Sequence, residues 1–189
     1  MSAVFNYIAL VAMWFFFFSI VYLPLRYILL KHDTTLMHEF CLWLFYGSVF
    51  CILTQTLTTD GTVTGVQFSL DYIHDNELYS FVPFVIVKRI MGLADPAERL
   101  SFALVNVPGN ILIFAPVGFF ARAAFKMNTI KATLIGLGLS VFVEIGQIFL
   151  PRTTDIDDVI MNTMGALFGA LIYGLINILI KRKGEKSNG

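Results

Sequence analysis

ATLIGLGLSVFVEIGQIFL, residues 132–150, contains nineteen residues and one charge, Glu144. At 1.5 Å per residue such a helix is about 28 Å long, close to the roughly 30 Å hydrocarbon core of a bilayer. Its length and apolar content suit a membrane span, and four further stretches resemble it: 5–23, 40–57, 102–125 and 159–180. No Lys or Arg precedes the first stretch, and it is too long for the apolar region of a signal peptide, so a retained span is expected.

The whole composition agrees. Of 189 residues, 57% are hydrophobic and 14% charged, against about 25% charged in a soluble domain. The 13 basic and 13 acidic side chains cancel, which fits neither a basic nucleic-acid binder nor a disordered chain. The expected fold is one all-α integral membrane domain over 1–189, a five-helix transmembrane bundle.

Charge placement orients the bundle. The tail carries Lys181, Arg182, Lys183 and Lys186, the 126–131 turn region Arg122, Lys126 and Lys131, and the first connection Arg26 and Lys31. The positive-inside rule puts these nine on the cytoplasmic side, leaving Lys88, Arg89, Arg99 and Arg152 outside. The expectation is N-terminus out and C-terminus in, with Pro24 and Arg26 marking the inner end of the first span. The nine inner basic residues meet three acidic ones, and the four outer ones meet nine. Glu144 is the remaining acid, within a span.

The long connection 58–101 is then outside. It opens with the turn-rich TTDGTVTG (58–65), and Val66, Phe68, Leu70 and Tyr72 alternate with polar neighbours as in a short strand. FVPFVIVKRIMGL (81–93) is too short to span and suits an interfacial helix, a re-entrant segment or a plain lid over the bundle. Cys41 and Cys51 stand ten residues apart, about 15 Å along a helix, too far for a disulfide. His32, His38 and His74 lack metal-ligand spacing, so no metal or cofactor is expected.

A charge in hydrocarbon costs several kcal/mol and therefore needs a partner or a task. Ser140, Glu144 and Gln147 follow at i, i+4 and i+7 and share a helix face that should point into the bundle. The next connection supplies Arg152, Asp155, Asp157 and Asp158, and Asn162 enters the fifth span one turn on. Gly165 and Gly169 follow as a small-xxx-small pair that lets helices approach. Asn106 and Asn110 lie four apart in the third span, where Pro108 and Pro116 invite a kink. All of these fall at the outer side of the charge-derived topology, and an outward-opening polar pocket follows. Structural duties are open for the same residues: Thr154 or Asp155 as a helix cap, Asp157 and Asp158 on a helix dipole, Arg152 paired with Glu144 or an aspartate, and the asparagines as interhelical hydrogen bonds.

These residues carry a resemblance to the VanZ-like family. Its N-x-x-x-N-x-x-x-F-x-P-x-G stretch is matched by Asn106, Asn110, Phe114, Pro116 and Gly118, and its E-x-x-Q by Glu144 and Gln147. Arg152, then Asp155, Asp157 and Asp158, then Asn162 and Gly165 complete the pattern, and the VPF at 82–84 resembles its upstream motif. The matching region covers about 80–173. The resemblance implies a bacterial plasma-membrane protein of a family associated with resistance to the glycopeptide teicoplanin.

Two functions compete. In the first, a non-enzymatic protein binds an amphiphile at the outer leaflet: a phospholipid, a lipid-linked wall precursor or a glycopeptide. Arg152 meets an anionic group, and Glu144 and Asn110 orient the headgroup. In the second, an enzyme acts on a lipid headgroup with Glu144 as acid or base and the aspartates holding Mg²⁺. No Ser-His or Cys-His pair supports the enzyme, so binding is preferred. The binding set is Asn106, Asn110, Glu144, Gln147, Arg152, Asp155, Asp157, Asp158 and Asn162. Transport through Glu144 ranks last, because it is the one acid placed within a span.

Overall fold

The structure, a computed structural model, describes residues 2–29, 34–57, 79–80, 82–150 and 154–187. The alternating segment 66–72 lies outside them. Among the described residues, five helices are long and apolar enough to cross a membrane. They are α1 (Ser2–Leu29), α2 (Leu36–Thr56), α4 (Pro96–Phe125), α5 (Thr129–Gln147) and α6 (Ile156–Ser187). A short helix, α3 (Val85–Gly92), stands before α4, and two-residue strands β1 (Tyr79–Ser80) and β2 (Thr154–Asp155) pair in parallel.

Local chemistry explains the helix starts. Thr35 caps α2 by accepting from the His38 amide at 3.3 Å, and Asn128 caps α5 by accepting from Lys131 at 2.9 Å. Asp95 caps α4 by accepting from Ala97 at 3.1 Å, with Pro96 in the first turn, where its missing N–H costs nothing. α4 therefore starts six residues ahead of the expected span. It stays one helix through Pro108 and Pro116. α1 likewise continues through Pro24 and ends at Leu29. A proline in a span removes one backbone hydrogen bond, and packing against a neighbour can offset that loss.

For α1 that neighbour is α2. Arg26 grips Glu39 with two hydrogen bonds, Nε at 2.6 Å and Nη2 at 2.8 Å. Further along, Trp43 Nε1 donates to Ser19 Oγ at 3.0 Å and its ring meets Phe15 edge-on, 4.9 Å between centroids. Most large side chains of α1 remain exposed, including Phe16, Phe17, Ile20 and Val21, as a lipid-facing helix requires. Replacing Arg26 with Met should cost about 2 kcal/mol through the lost charged hydrogen bonds. Thermal unfolding in detergent reads this as a lowered midpoint, and an unchanged midpoint would show that the pair is idle.

α4 packs most extensively on α6, with α5 beside α6 and α2 beside α4. Phe45, Ile52, Phe114, Val117, Ala121, Ala132, Val143 and Ala170 form the core. The α4–α6 approach is close enough for backbone to touch backbone. A methyl group at Gly118 would fall on the Ala166 carbonyl, at Gly165 on that of Ile111, and at Gly169 on that of Ala115. The small-residue pair thus serves packing within the chain.

The helices define two ends. Phe45 of α2 stacks edge-on with Phe125 at one end, near Arg122, Lys126 and the start of α5. At the other end Gln147 reaches the Thr56 carbonyl at 3.3 Å, tying the end of α5 to the end of α2. That second end carries α3 and the strand pair.

Candidate functional site

The α5 stripe turns inward as its spacing requires. Ser140 is fully buried, Glu144 is 7% exposed and Gln147 is 8% exposed. Asn162, 5% exposed, approaches from α6 and donates to Ser140 Oγ at 2.9 Å. One turn up, Glu144 Oε2 accepts from the backbone N–H of Asp155 at 3.1 Å. Glu144 therefore holds the start of β2 against the end of α5. The turn between begins with Ile148, Phe149 and Leu150 donating back to Glu144, Gly146 and Gln147.

The aspartates have separate duties. Asp155 Oδ1 accepts from the Asp157 amide at 3.1 Å, the bond expected of a cap for α6. Its Oδ2 lies 3.2 Å from Arg89 Nη1, which brings α3 over the start of α6. Asp158 Oδ1 accepts from Asn110 Nδ2 at 2.7 Å and joins α6 to α4.

Asp157 does more than suit the dipole of its own helix. Its two oxygens accept from the Phe84 amide at 2.5 Å and the Ile86 amide at 2.8 Å, so it caps α3 from 71 residues away. Phe84 adopts the left-handed conformation, φ 66° and ψ 21°, which costs a bulky residue about 1–3 kcal/mol. The carboxylate offsets that cost, and the β1–β2 pairing of Tyr79 with Thr154 and Ser80 with Asp155 reinforces it. α3 buries no side chain completely, so this polar latch, the Arg89 pair and its contact with α4 hold it in place. Asp157→Ala should free it. Trypsin cleavage after exposed Lys88 and Arg89 should then accelerate about tenfold or more in the purified protein, while Asp157→Asn, which keeps one acceptor, should fall between. Equal cleavage rates would show that the latch does not hold α3.

The structure brings together Asn110, Glu144, Gln147, Asp155, Asp157, Asp158 and Asn162, seven residues of the expected set. Asn106 stands in α4, its side chain outside the described residues, and Arg152 lies outside them altogether. The partner of Glu144 within the described residues is a backbone amide. Arg89 joins the group, a residue that sequence reasoning placed only as an outer charge. The signal for it was its position five residues after Phe84 in the VPF segment. Ser140 also belongs, as the base on which Asn162 rests.

Unmet hydrogen-bonding capacity remains. Gln147 Oε1, Thr154 Oγ1 and Asn162 Oδ1 are buried and have no partner among the described residues. The second oxygens of Glu144 and Asp158 receive no hydrogen bond from the described residues either. Buried polar atoms are satisfied in the large majority of native structures, so such a concentration at one place calls for an explanation.

The VanZ/LLP1 family model matches residues 40–177. The chain is 40% identical over 76 residues to Protein VanZ of Enterococcus faecium, a stretch covering 39% of this chain and 47% of that protein. The chain thus spans about half the length of the curated relative it matches. No solved structure matches. With five candidate membrane-spanning helices among the described residues and a family match over α2, α4, α5 and most of α6, the chain belongs to the VanZ/LLP1 family.

Proposed function

We propose that this protein binds the polar headgroup of an amphiphile at the outer leaflet of a bacterial plasma membrane, through the cluster around Glu144, and so contributes to tolerance of glycopeptides such as teicoplanin. The observation that carries the reading is the set of buried oxygens, without a partner among the described residues, gathered at one end of the bundle: Gln147 Oε1, Thr154 Oγ1 and Asn162 Oδ1. The hydroxyl or amine groups of a phospholipid, a lipid-linked saccharide or a glycopeptide would satisfy them.

Orientation is part of the proposal. Arg122, Lys126 and Lys131 lie at the end opposite the cluster, and the positive-inside rule makes theirs the cytoplasmic end. Apolar Val82, Phe84, Val87 and Met91 are exposed around α3 and suit contact with the headgroup and acyl boundary beside the site.

The test is mass spectrometry of lipids that co-purify with the wild-type protein and with Glu144→Gln. A lipid class depleted about tenfold in the variant, at equal protein level, is the expected result. Identical lipid profiles, together with an unchanged teicoplanin tolerance in cells expressing either protein, would remove the proposal.

A further inference from the structure

We infer that the headgroup enters this site through a protonated amine: the open oxygens of Glu144 and Asp158, with the Asn162 carbonyl below them, form an ammonium pocket. The inference rests on the headgroup reading and names the chemistry of its ligand.

Charge is the first support. Among the described residues the cluster holds four carboxylates, Glu144, Asp155, Asp157 and Asp158, against Arg89. Asp155 is matched by Arg89 and by the Asp157 amide. Asp157 is filled by the two amides that start α3. Glu144 and Asp158 remain. Each has one oxygen engaged by a neutral donor, the Asp155 N–H and the Asn110 amide respectively. They stand one turn above the Ser140–Asn162 hydrogen bond, on α5 and α6 respectively, which sets them side by side. Like charges repel strongly where water is scarce, so a cation between them has a large electrostatic advantage.

The second support is independent of charge. Asn162 Oδ1 and Thr154 Oγ1 each belong to a residue 5% exposed and lack a partner. Asn162 rests on Ser140, one turn below Glu144 on the same face of α5. Thr154 precedes the residue whose amide Glu144 holds. A group that donates several hydrogen bonds and accepts none meets these atoms, and an alkylammonium, with three N–H donors, is such a group.

The alternatives fit worse. A phosphate or carboxylate would confront the acidic excess and find the nearby neutral donors, Asn110 Nδ2 and the Asp155 amide, already engaged. A bare metal ion needs converging carboxylate or imidazole ligands, and the described residues hold no group of three that could bind one. An ammonium differs in the ligands it takes: two carboxylate oxygens and a neutral carbonyl or hydroxyl suffice, at hydrogen-bond rather than coordination distance.

The test uses the full chain in detergent, with binding read by native mass spectrometry and by thermal unfolding. The probes are phosphatidylethanolamine, its N-acetyl derivative, phosphatidylglycerol, and magnesium chloride alone. Phosphatidylethanolamine should bind about tenfold or more tightly than the N-acetyl form, which keeps the phosphate and loses the charge. That preference should vanish in Glu144→Gln and in Asp158→Asn. The comparison within the wild-type protein needs no variant, so a poorly folding variant does not weaken it. Equal binding of the two lipids to the wild type, with binding lost in Glu144→Gln, overturns the ammonium pocket and leaves the headgroup site standing. Stabilisation by magnesium with no amine preference overturns it in favour of a metal. Lipid binding insensitive both to headgroup and to Glu144→Gln overturns the pocket and the headgroup reading together.

Discussion

Alanine at Gly118 or Gly169 is expected to lower stability by about 2–3 kcal/mol at each position, among the largest losses available to a single added methyl. The atom that each new Cβ would strike is a main-chain carbonyl, of Ala166 and of Ala115 respectively, and a carbonyl in a helix cannot rotate aside. Relief requires α4 and α6 to separate. Separation loosens Phe114, Val117 and Ala170, which pack at that interface and are at most 1% exposed. It also pulls Asn110 from Asp158, because both stand on the same two helices. The measurement is the unfolding midpoint in detergent together with the yield of monodisperse protein. Gly138→Ala is the control: nothing lies within 4 Å of its added methyl, and the helix gains up to about 1 kcal/mol. If all three variants melt alike, close backbone packing is not what holds this bundle together.

The same interface shows how far the sequence could be read. Gly165 and Gly169 announce close approach by their four-residue spacing, yet nothing in that spacing names α4 as the partner. The Ser140–Glu144–Gln147 stripe was legible because helical periodicity is a local property, and burial of all three follows from the cost of polar groups in lipid. The partner of Glu144 was not legible. A backbone N–H carries no residue identity, so the Asp155 amide that the structure supplies could not be named from the sequence. The cap that Asp157 provides for α3 was hidden for a related reason: α6 begins at Ile156, which makes an aspartate at 157 look sufficiently explained by its own helix. Pro24 reads as marking the inner end of a span; α1 as a helix runs on to Leu29, and nothing local announces the grip of Arg26 on Glu39 there.

Glu144 offers the sharpest separation between holding the fold and serving a ligand. Glu144→Ala removes the acceptor of the buried Asp155 amide and leaves a cavity, so a loss of about 2–4 kcal/mol in stability is expected. Glu144→Gln keeps a carbonyl oxygen for that amide and replaces the acid with a neutral side chain of the same shape. Its unfolding midpoint should therefore hold, since the buried amide keeps its acceptor and no cavity opens. Function should fall instead. If the carboxylate meets a cationic or donor-rich headgroup, its neutral analogue should bind about thirtyfold or more weakly, the loss measured when one partner of a buried charged contact is removed. A variant as stable as the wild type but unable to retain its lipid would assign the charge to the ligand, because the fold would have been shown to manage without it. A variant that loses stability and lipid in proportion would assign the charge to the fold, with Glu144 acting as a fastening between α5 and β2.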